Sequence, residues 1–415
     1  MGPAFFIALR YLLGRAKEGG RYLRAAAAGI ALSLVPIIVT LIVADGMIRG
    51  ITDRFIELGT GHLQIYDFGD TGLLEAHIPI LTEIEGFKGV WRERQGLGVI
   101  IGPKGKRGAT IRAVDSTFWE EGEYLVSVEG RSFPGGDGEL TLGQSLAEEI
   151  GAGTGDTVRI MTVRDLDGRP VPRLAVFTVA GIVSSGYREL DALWCITTIE
   201  GGERALGSDA GRTHLLVKIG DPYRGAGRFA ISLQRRLGPA FAVYTWGDLQ
   251  RAQYNSYEST RQLLLFIMAL IVVVAAVNVS SATSMLVIER QRDIAVLKAS
   301  GASPRGAGAI FIMGGLLTGL CGTVLGTGAG LLLGININGL IHGLEALLSF
   351  FSGLFRGGEV KILDPGYYLE NIPVIVDWAA VFLIGFFTVL CSVIASWIPA
   401  YRAGRLKPLE LFRKY

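Results

Sequence analysis

The chain has 415 residues, 50% of them hydrophobic, and a net charge of only +2. Its mean hydropathy is +0.41. That is too apolar for an ordinary soluble protein of this length, and a chain so close to charge balance has no global basic field that would favour nucleic acid.

Residues 1–24 open the chain as an amphipathic segment. Phe5, Phe6, Leu9, Leu12, Leu13 and Ala16 share one predicted helical face, with Arg10 and Lys17 opposite. That pattern predicts an elbow helix lying at a membrane surface. Residues 25–44 then carry no charge, and the same holds for 262–288, 306–341 and 378–401. A helix rises about 1.5 Å per residue, so roughly 20 apolar residues cross a hydrocarbon core of about 30 Å. We therefore expect four transmembrane helices, at 25–45, 262–288, 306–341 and 378–401. Val43-Ala44-Asp45 is a poor cleavage site, which favours a retained anchor over a signal peptide.

Residues 46–261 read as a folded, mixed α/β domain inserted between the first two spans. "ATIRAVDS", "DTVRIMTV", "FTVAGIV" and "THLLVKI" are rich in β-branched residues and predict strands. "LTLGQSLAEEIGAGTGDTV" predicts a strand, a helix, a glycine turn and a strand. Asp167-Gly168 suits a hairpin tip, and Pro170 and Pro172 confine that arm to an edge or a protruding loop. Met47, Ile51, Phe55 and Leu58 fall on one helical face directly after the first span. "LQRAQYNSYESTRQLL" leads into the second span without a breaker. Both spans are thus expected to continue outward as stalk helices, short tethers being the plainer alternative.

Residues 289–305, "ERQRDIAVLKASGASPR", interrupt the apolar sequence with charge. Gly301 suits the position that ends a helix, and Ser303-Pro304 suits the N-cap and first residue of the next. A short amphipathic helix is expected here, fitted either to lipid headgroups or to a groove on a soluble partner. In the third span Gly314, Gly322, Gly326, Gly330 and Gly334 lie on one i+4 ridge, with Thr318 filling the gap. Small residues at that spacing let a neighbouring backbone approach. Residues 342–377 are expected as a short outer loop and 402–415 as a tail. Lysine and arginine concentrate before the first span, in 289–305 and in the tail, which places both termini and 289–305 in the cytoplasm.

Catalytic signatures are missing. "GPKGKRGAT" has the composition of a phosphate loop but not its spacing, and there is no HExxH, Cys-x-x-Cys or G-x-S-x-G. His62, His77, His214 and His342 are scattered. Cys321 and Cys391 lie in apolar runs and Cys195 stands alone in the polar part, so cysteine use fixes no redox compartment. No charge sits centrally in any span, which counts against an ion-coupled transporter. The chain is expected to be a non-catalytic membrane subunit without cofactor or metal, so energy for any uphill process would come from a partner.

The segment "ERQRDIAVLKASGAS" resembles the coupling-helix motif of the FtsX/MacB/Lol permeases of ABC transporters. Asp293 stands where that motif usually has glutamate. "WIPAYRAGRLKPLELFR" resembles the family's closing motif through Pro399, Ala400, Arg402, Ala403, Pro408 and Arg413, with Phe412 a departure. "IALRYLLGRAKEGG" resembles the start of the lipoprotein-releasing (LolC/LolE-type) members in particular. The resemblance implies a MacB-like periplasmic core between the first two spans and an inner-membrane location. It implies a second copy or a related permease, and a separate ABC ATPase dimer that binds ATP and Mg. It implies that Glu289, Arg290, Arg292, Asp293, Ile294, Leu297, Lys298, Ala299 and Gly301 form the ATPase-coupling segment. It also implies a lipoprotein substrate drawn from the membrane and a periplasmic carrier that receives it. Ile30, Ile37, Leu41, Leu264, Met268 and Ile271 offer an apolar surface for acyl chains, or equally for membrane lipids. Arg169, Pro170, Pro172 and Arg173 fall where some members carry a carrier-recruiting hook. Drug, peptide or toxin export of the MacB type, and FtsX-like control of a cell-wall hydrolase, are the rival functions.

Overall fold

The computed structural model describes residues 3–13, 20–67, 78–84, 86–120, 125–166, 169–207, 212–354 and 372–406. The chain divides into two compact units, an inserted domain at Met47–Ser256 and a helical unit formed by the flanking segments. The bundle helices are α1 (Pro3–Leu13), α2 (Gly20–Arg54), α3 (Arg251–Glu289), α4 (Gln291–Ala299), α5 (Pro304–Ile335), α6 (Ile337–Leu354) and α7 (Trp378–Arg405). Among the described residues four of these, α2, α3, α5 and α7, are long and apolar enough to cross a membrane.

Glycine sets how closely the helices of the bundle pack. A Cβ added at Gly322 would lie 2.8 Å from the Ala27 carbonyl oxygen, one at Gly326 2.8 Å from Ala31 Cα, and one at Gly330 2.8 Å from Ile38 Cβ. Gly334 abuts Ile42, and Gly314 has more room, its nearest neighbour being Leu23 at 3.9 Å. The ridge therefore seats α5 directly on α2. A second set on α5, which the sequence reading did not pick out, meets α7: a Cβ at Gly319 would be 2.7 Å from Ser392 Cβ, and one at Gly308 3.0 Å from the Ala400 oxygen. The facing hydroxyls of Thr388, Ser392 and Ser396 each donate to the carbonyl four residues back, so these polar groups are satisfied inside their own helix.

One expectation needs correction. The predicted third span, 306–341, is not one helix. Helix α5 ends at Asn336, whose side chain donates back to the Leu332 carbonyl (2.8 Å), and α6 begins one residue later. Asparagine carries no charge, so a run defined by the absence of charge passes through the break. Asn338 then pairs its amide with both backbone groups of Ile372, at 3.0 and 3.1 Å. The apolar face of α1 packs in part into the bundle: Leu12 is buried, and Phe5 and Leu9 pack against the same cluster. Ala8 and Leu12 are its buried residues, packed with Leu23, Leu286, Ile294 and Phe311, while Phe6 is exposed. Helix α1 is thus packed against the bundle; Ala16 and Lys17 lie outside the described residues.

The inserted domain is a mixed sheet. Its strands are β1 (Leu63–Asp67), β2 (Phe87–Ile101), β3 (Lys106–Val114), β4 (Val126–Gly130), β5 (Glu139–Gly143), β6 (Thr157–Leu166), β7 (Arg169–Ser184), β8 (Trp194–Thr197), β9 (Arg212–Ile219) and β10 (Phe241–Thr245). The order is β10-β1-β9-β2-β3-β8-β5-β7-β4, with β6 pairing β2 and β7. The β3/β8 and β5/β7 pairs are parallel and the rest antiparallel. Helix Ala226–Leu237 places Ala226, Phe229, Ala230, Leu233 and Leu237 inward at helical spacing against Leu215, Val217 and Phe241. Helix Gln144–Ile150 buries Leu146, Ala147 and Ile150 beside Val158, Ile160 and Phe177. Within this unit the end of α2 passes into a π-helical turn, Phe55–Thr60.

Candidate functional site

Helix α4 follows α3 after a single non-helical residue, Arg290. Its far end is a Schellman closure. Gly301 adopts a φ of +95°, its amide donates to the Lys298 carbonyl (3.0 Å), and the Ala302 amide donates to that of Leu297 (3.0 Å). The Ser303 hydroxyl then accepts from the Gly306 amide (3.0 Å), with Pro304 as the first residue of α5. The first closure fixes where α4 ends, and the second where α5 begins.

The nine residues predicted as a coupling segment do not share one role. Ile294 is buried against α1, α5 and α7, and Ala295 is buried too. Leu297 packs against the same cluster. Lys298 reaches across the chain: its Nζ donates to the carbonyls of Gly404 (2.6 Å) and Leu406 (2.7 Å) at the end of α7. A helix C-terminus exposes carbonyls that lack partners within the helix, and an ammonium is a favourable donor to them. Arg290 pairs with Asp293 (3.0 Å), and its guanidinium lies 5.1 Å from the ring centroid of Tyr11 in α1. Burial, with Asp293 nearby, raises the Tyr11 phenol above its usual range, so the ring stays neutral. Ile294, Leu297, Lys298, Arg290 and Asp293 therefore hold α4 to its own bundle. The exposed face is Glu289, Arg292, Val296 and Ala299, a stripe at three- and four-residue spacing, followed by exposed Ser300 and Gly301 at the helix end. Val296 belongs to it although sequence reading passed over it; an exposed valine between charges was the available signal.

The opposite end of the bundle carries a second charged contact. Arg261 of α3 donates from Nε to Asp45 of α2 (2.8 Å) and from Nη2 to Asp377 (2.7 Å). Asp377 also caps α7, accepting from the amides of Ala379 and Ala380 at 3.0 and 3.2 Å. One guanidinium thus ties three of the long helices together, a planar donor fork suited to two carboxylates.

The predicted apolar surface is largely internal. Ile30, Ile37, Leu41 and Met268 are buried in the cluster that joins α2, α3 and α7, and Leu264 packs against it. Of the six only Ile271 is exposed. In a bilayer both lipid-facing and helix-facing positions are apolar, so hydropathy does not separate them.

In the domain, β6 and β7 form a hairpin whose register runs unbroken from Thr157↔Thr178 to Leu166↔Arg169. Pro170 and Pro172 sit opposite Asp165 and Val163 and are exposed. Asp167, Gly168 and the side chain of Arg169 lie outside the described residues. The Arg173 Nε donates to the Arg204 carbonyl (3.1 Å).

A buried ionic cluster in the same unit was not anticipated. Arg112 of β3 bonds Glu93 of β2 (2.5 Å) and donates to the carbonyls of Leu58 and, at 2.9 Å, Gly59 in the π-helical turn. His214 lies 3.2 Å from the same carboxylate and stacks on Tyr66. Burial would raise the Glu93 carboxyl, but Arg112 and His214 outweigh it and hold it down at about 2. Nearby His62 accepts the Ile219 amide (2.9 Å) and contacts Glu57 (2.7 Å), which also pairs with Lys218 (3.1 Å). The Glu57 carboxyl is likewise drawn down to about 2: burial opposes the shift, and His62 and Lys218 cause it. His342 has Glu345 at 3.4 Å, and His77 lies outside the described residues. No sequence spacing could reveal this cluster, since Arg112 is 54 residues from Leu58.

Comparison with known proteins matches residues 25–222 to the MacB-like periplasmic core domain and residues 265–408 to the FtsX-like permease C-terminal domain. The chain is similar to the lipoprotein-releasing system transmembrane protein LolC of Neisseria meningitidis, at 28% identity over 98% of both chains. LolC of Xylella fastidiosa is 28% identical over the same shares. LolE of Haemophilus influenzae is 23% identical over the whole of both chains.

Proposed function

The chain belongs to the FtsX/MacB/Lol-type ABC transporter permeases, and from that premise we propose that it is a membrane subunit of a machine that releases lipoproteins from the bacterial inner membrane. The observation that carries this reading is similarity to lipoprotein-releasing permeases over 98% of the chain, including both the inserted domain and the bundle. A partner ABC ATPase would bind ATP and Mg and dock on the exposed stripe of α4, Glu289, Arg292, Val296 and Ala299. Both termini and α4 would then be cytoplasmic, in keeping with the positive charge at that end. Lys298, clamped to the end of α7, would pass displacement of α4 into the bundle. A second permease, identical or related, would complete the membrane part. The lipoprotein would be handed to a periplasmic carrier, with the β6/β7 hairpin as the candidate receiving arm.

The test has two arms. Reversing Glu289 and Arg292 in one variant, and placing tryptophan at Ala299 in another, should weaken ATPase association and abolish stimulated hydrolysis while the protein remains in the membrane. Unchanged stimulation would remove the docking role. Depleting the protein should trap lipoproteins in the inner membrane; normal delivery to the outer membrane would refute the cargo assignment and favour one of the other activities of the family.

A further inference from the structure

At the end of the bundle that carries α4, helices α5 and α7 part to form a cleft of about 450 Å³. Arg305, Gly308 and Ile312 line it from α5, and Trp397, Tyr401 and Arg405 from α7. The two backbones meet at its floor, where Gly308 faces the Ala400 carbonyl and Gly404 faces that of Pro304.

Charge and grease are segregated across this cleft. Arg305 and Arg405 are exposed at its rim, and neither has a carboxylate partner among the described residues. The Arg405 guanidinium stacks 4.5 Å from the Tyr401 ring centroid, which holds it at the rim. Below them the wall is Ile312 and Trp397. Trp397 continues an exposed apolar stripe along α7, through Ile394, Leu390, Phe386 and Phe382. From Phe382 to Arg405 a helix rises about 35 Å, close to the depth of a hydrocarbon core, so the arginines stand at headgroup level when the stripe faces acyl chains. Tryptophan and tyrosine at that level are typical of the membrane interface. A soluble anion would use the arginines but not the wall. A soluble protein would meet a wall continuous with a membrane-crossing stripe.

We propose that this cleft binds an anionic phospholipid, with its phosphate between Arg305 and Arg405 and an acyl chain along Ile312 and Trp397. The recognition is of a phosphodiester anion joined to hydrocarbon, as basic pockets between membrane helices achieve.

The test uses the full chain in nanodiscs with a photoactivatable phosphatidylglycerol, and with phosphatidylcholine of the same chain length as the comparison. Labelling should be selective for phosphatidylglycerol and map to peptides 304–312 and 397–405. The double variant R305Q/R405Q should lower that labelling about thirtyfold, the effect of removing two interfacial cations, and R305K/R405K should restore most of it. Competition by glycerol phosphate alone should be weak, because it lacks the chain that Ile312 and Trp397 hold. Equal labelling by the two lipids, or labelling that survives R305Q/R405Q, overturns the proposal. Full competition by glycerol phosphate would make the site one for free phosphate and overturns it too. Loss of ATPase association in R305Q/R405Q with lipid labelling unchanged would assign the face to a protein partner instead.

Discussion

Replacing Lys298 with methionine should loosen α4 from the end of α7 without disturbing its exposed face. The lysine makes two short hydrogen bonds, 2.6 and 2.7 Å, to carbonyls at the end of α7. A hydrogen bond to a charged group contributes about 1.5–3 kcal/mol when buried. Lys298 is only half-buried, so the pair together should contribute about 2 kcal/mol. Methionine keeps the packing length of the side chain, so most of the loss is electrostatic. Local opening of α4 should then become about thirtyfold more frequent. Hydrogen exchange on the full chain in nanodiscs reads this directly. Amides of α4 and of the last turn of α7 should exchange faster together by about that factor, while those of α2 stay unchanged. Arg292→Gln, on the exposed face, should leave exchange as it was. If Lys298→Met leaves both segments protected, or loosens α4 alone, the clamp is not what joins these two helices.

The packing of α5 on α2 and the buried charges of the domain give two further expectations. Gly326→Val should lower the melting temperature of the detergent-solubilised protein, because its Cβ meets backbone of α2; overpacking of this kind costs about 1–3 kcal/mol. Gly328→Ala, two residues away with open space around it, should change stability by less than about 0.5 kcal/mol. Glu93 and Glu57 both have folded-state values near 2, below their ordinary carboxylate range. Their stabilising effect is complete above about pH 4.5 and is lost as pH falls toward 2. Tryptophan fluorescence should therefore report acid unfolding within that window. The variant Glu93→Gln should be less stable than the parent at pH 7, with the difference shrinking below pH 4; a constant difference would contradict the linkage.

Features set by local chemistry were the ones legible in the sequence. The long apolar helices, the Gly301 terminus, the Ser303 cap and the glycine ridge of α5 each need only a few neighbouring residues to be recognised. The strands around "THLLVKI" and "FTVAGIV" were readable for the same reason. What was not legible depends on distant partners. Lys298 looks like any surface lysine until α7, more than a hundred residues on, places two carbonyls beside it. Ile30, Ile37 and Leu41 look lipid-facing until the neighbouring helices cover them. Arg112 and Glu93 look like exposed strand charges, and only the fold encloses both.

The two glycine faces of α5 determine how the bundle responds to load. At the α2–α5 and α5–α7 seams many of the touching groups are backbone atoms, Cβ atoms and short hydroxyl side chains, beside the β-branched side chains of Ile30, Ile38 and Ile42. Long side chains yield to a push by changing rotamer, but these groups have few or no rotamers to change. Stiffness in such a stack comes from what is missing: with few long, flexible side chains at the glycine contacts between α7, α5 and α2, a small displacement of one helix is passed to the next with little lost between them.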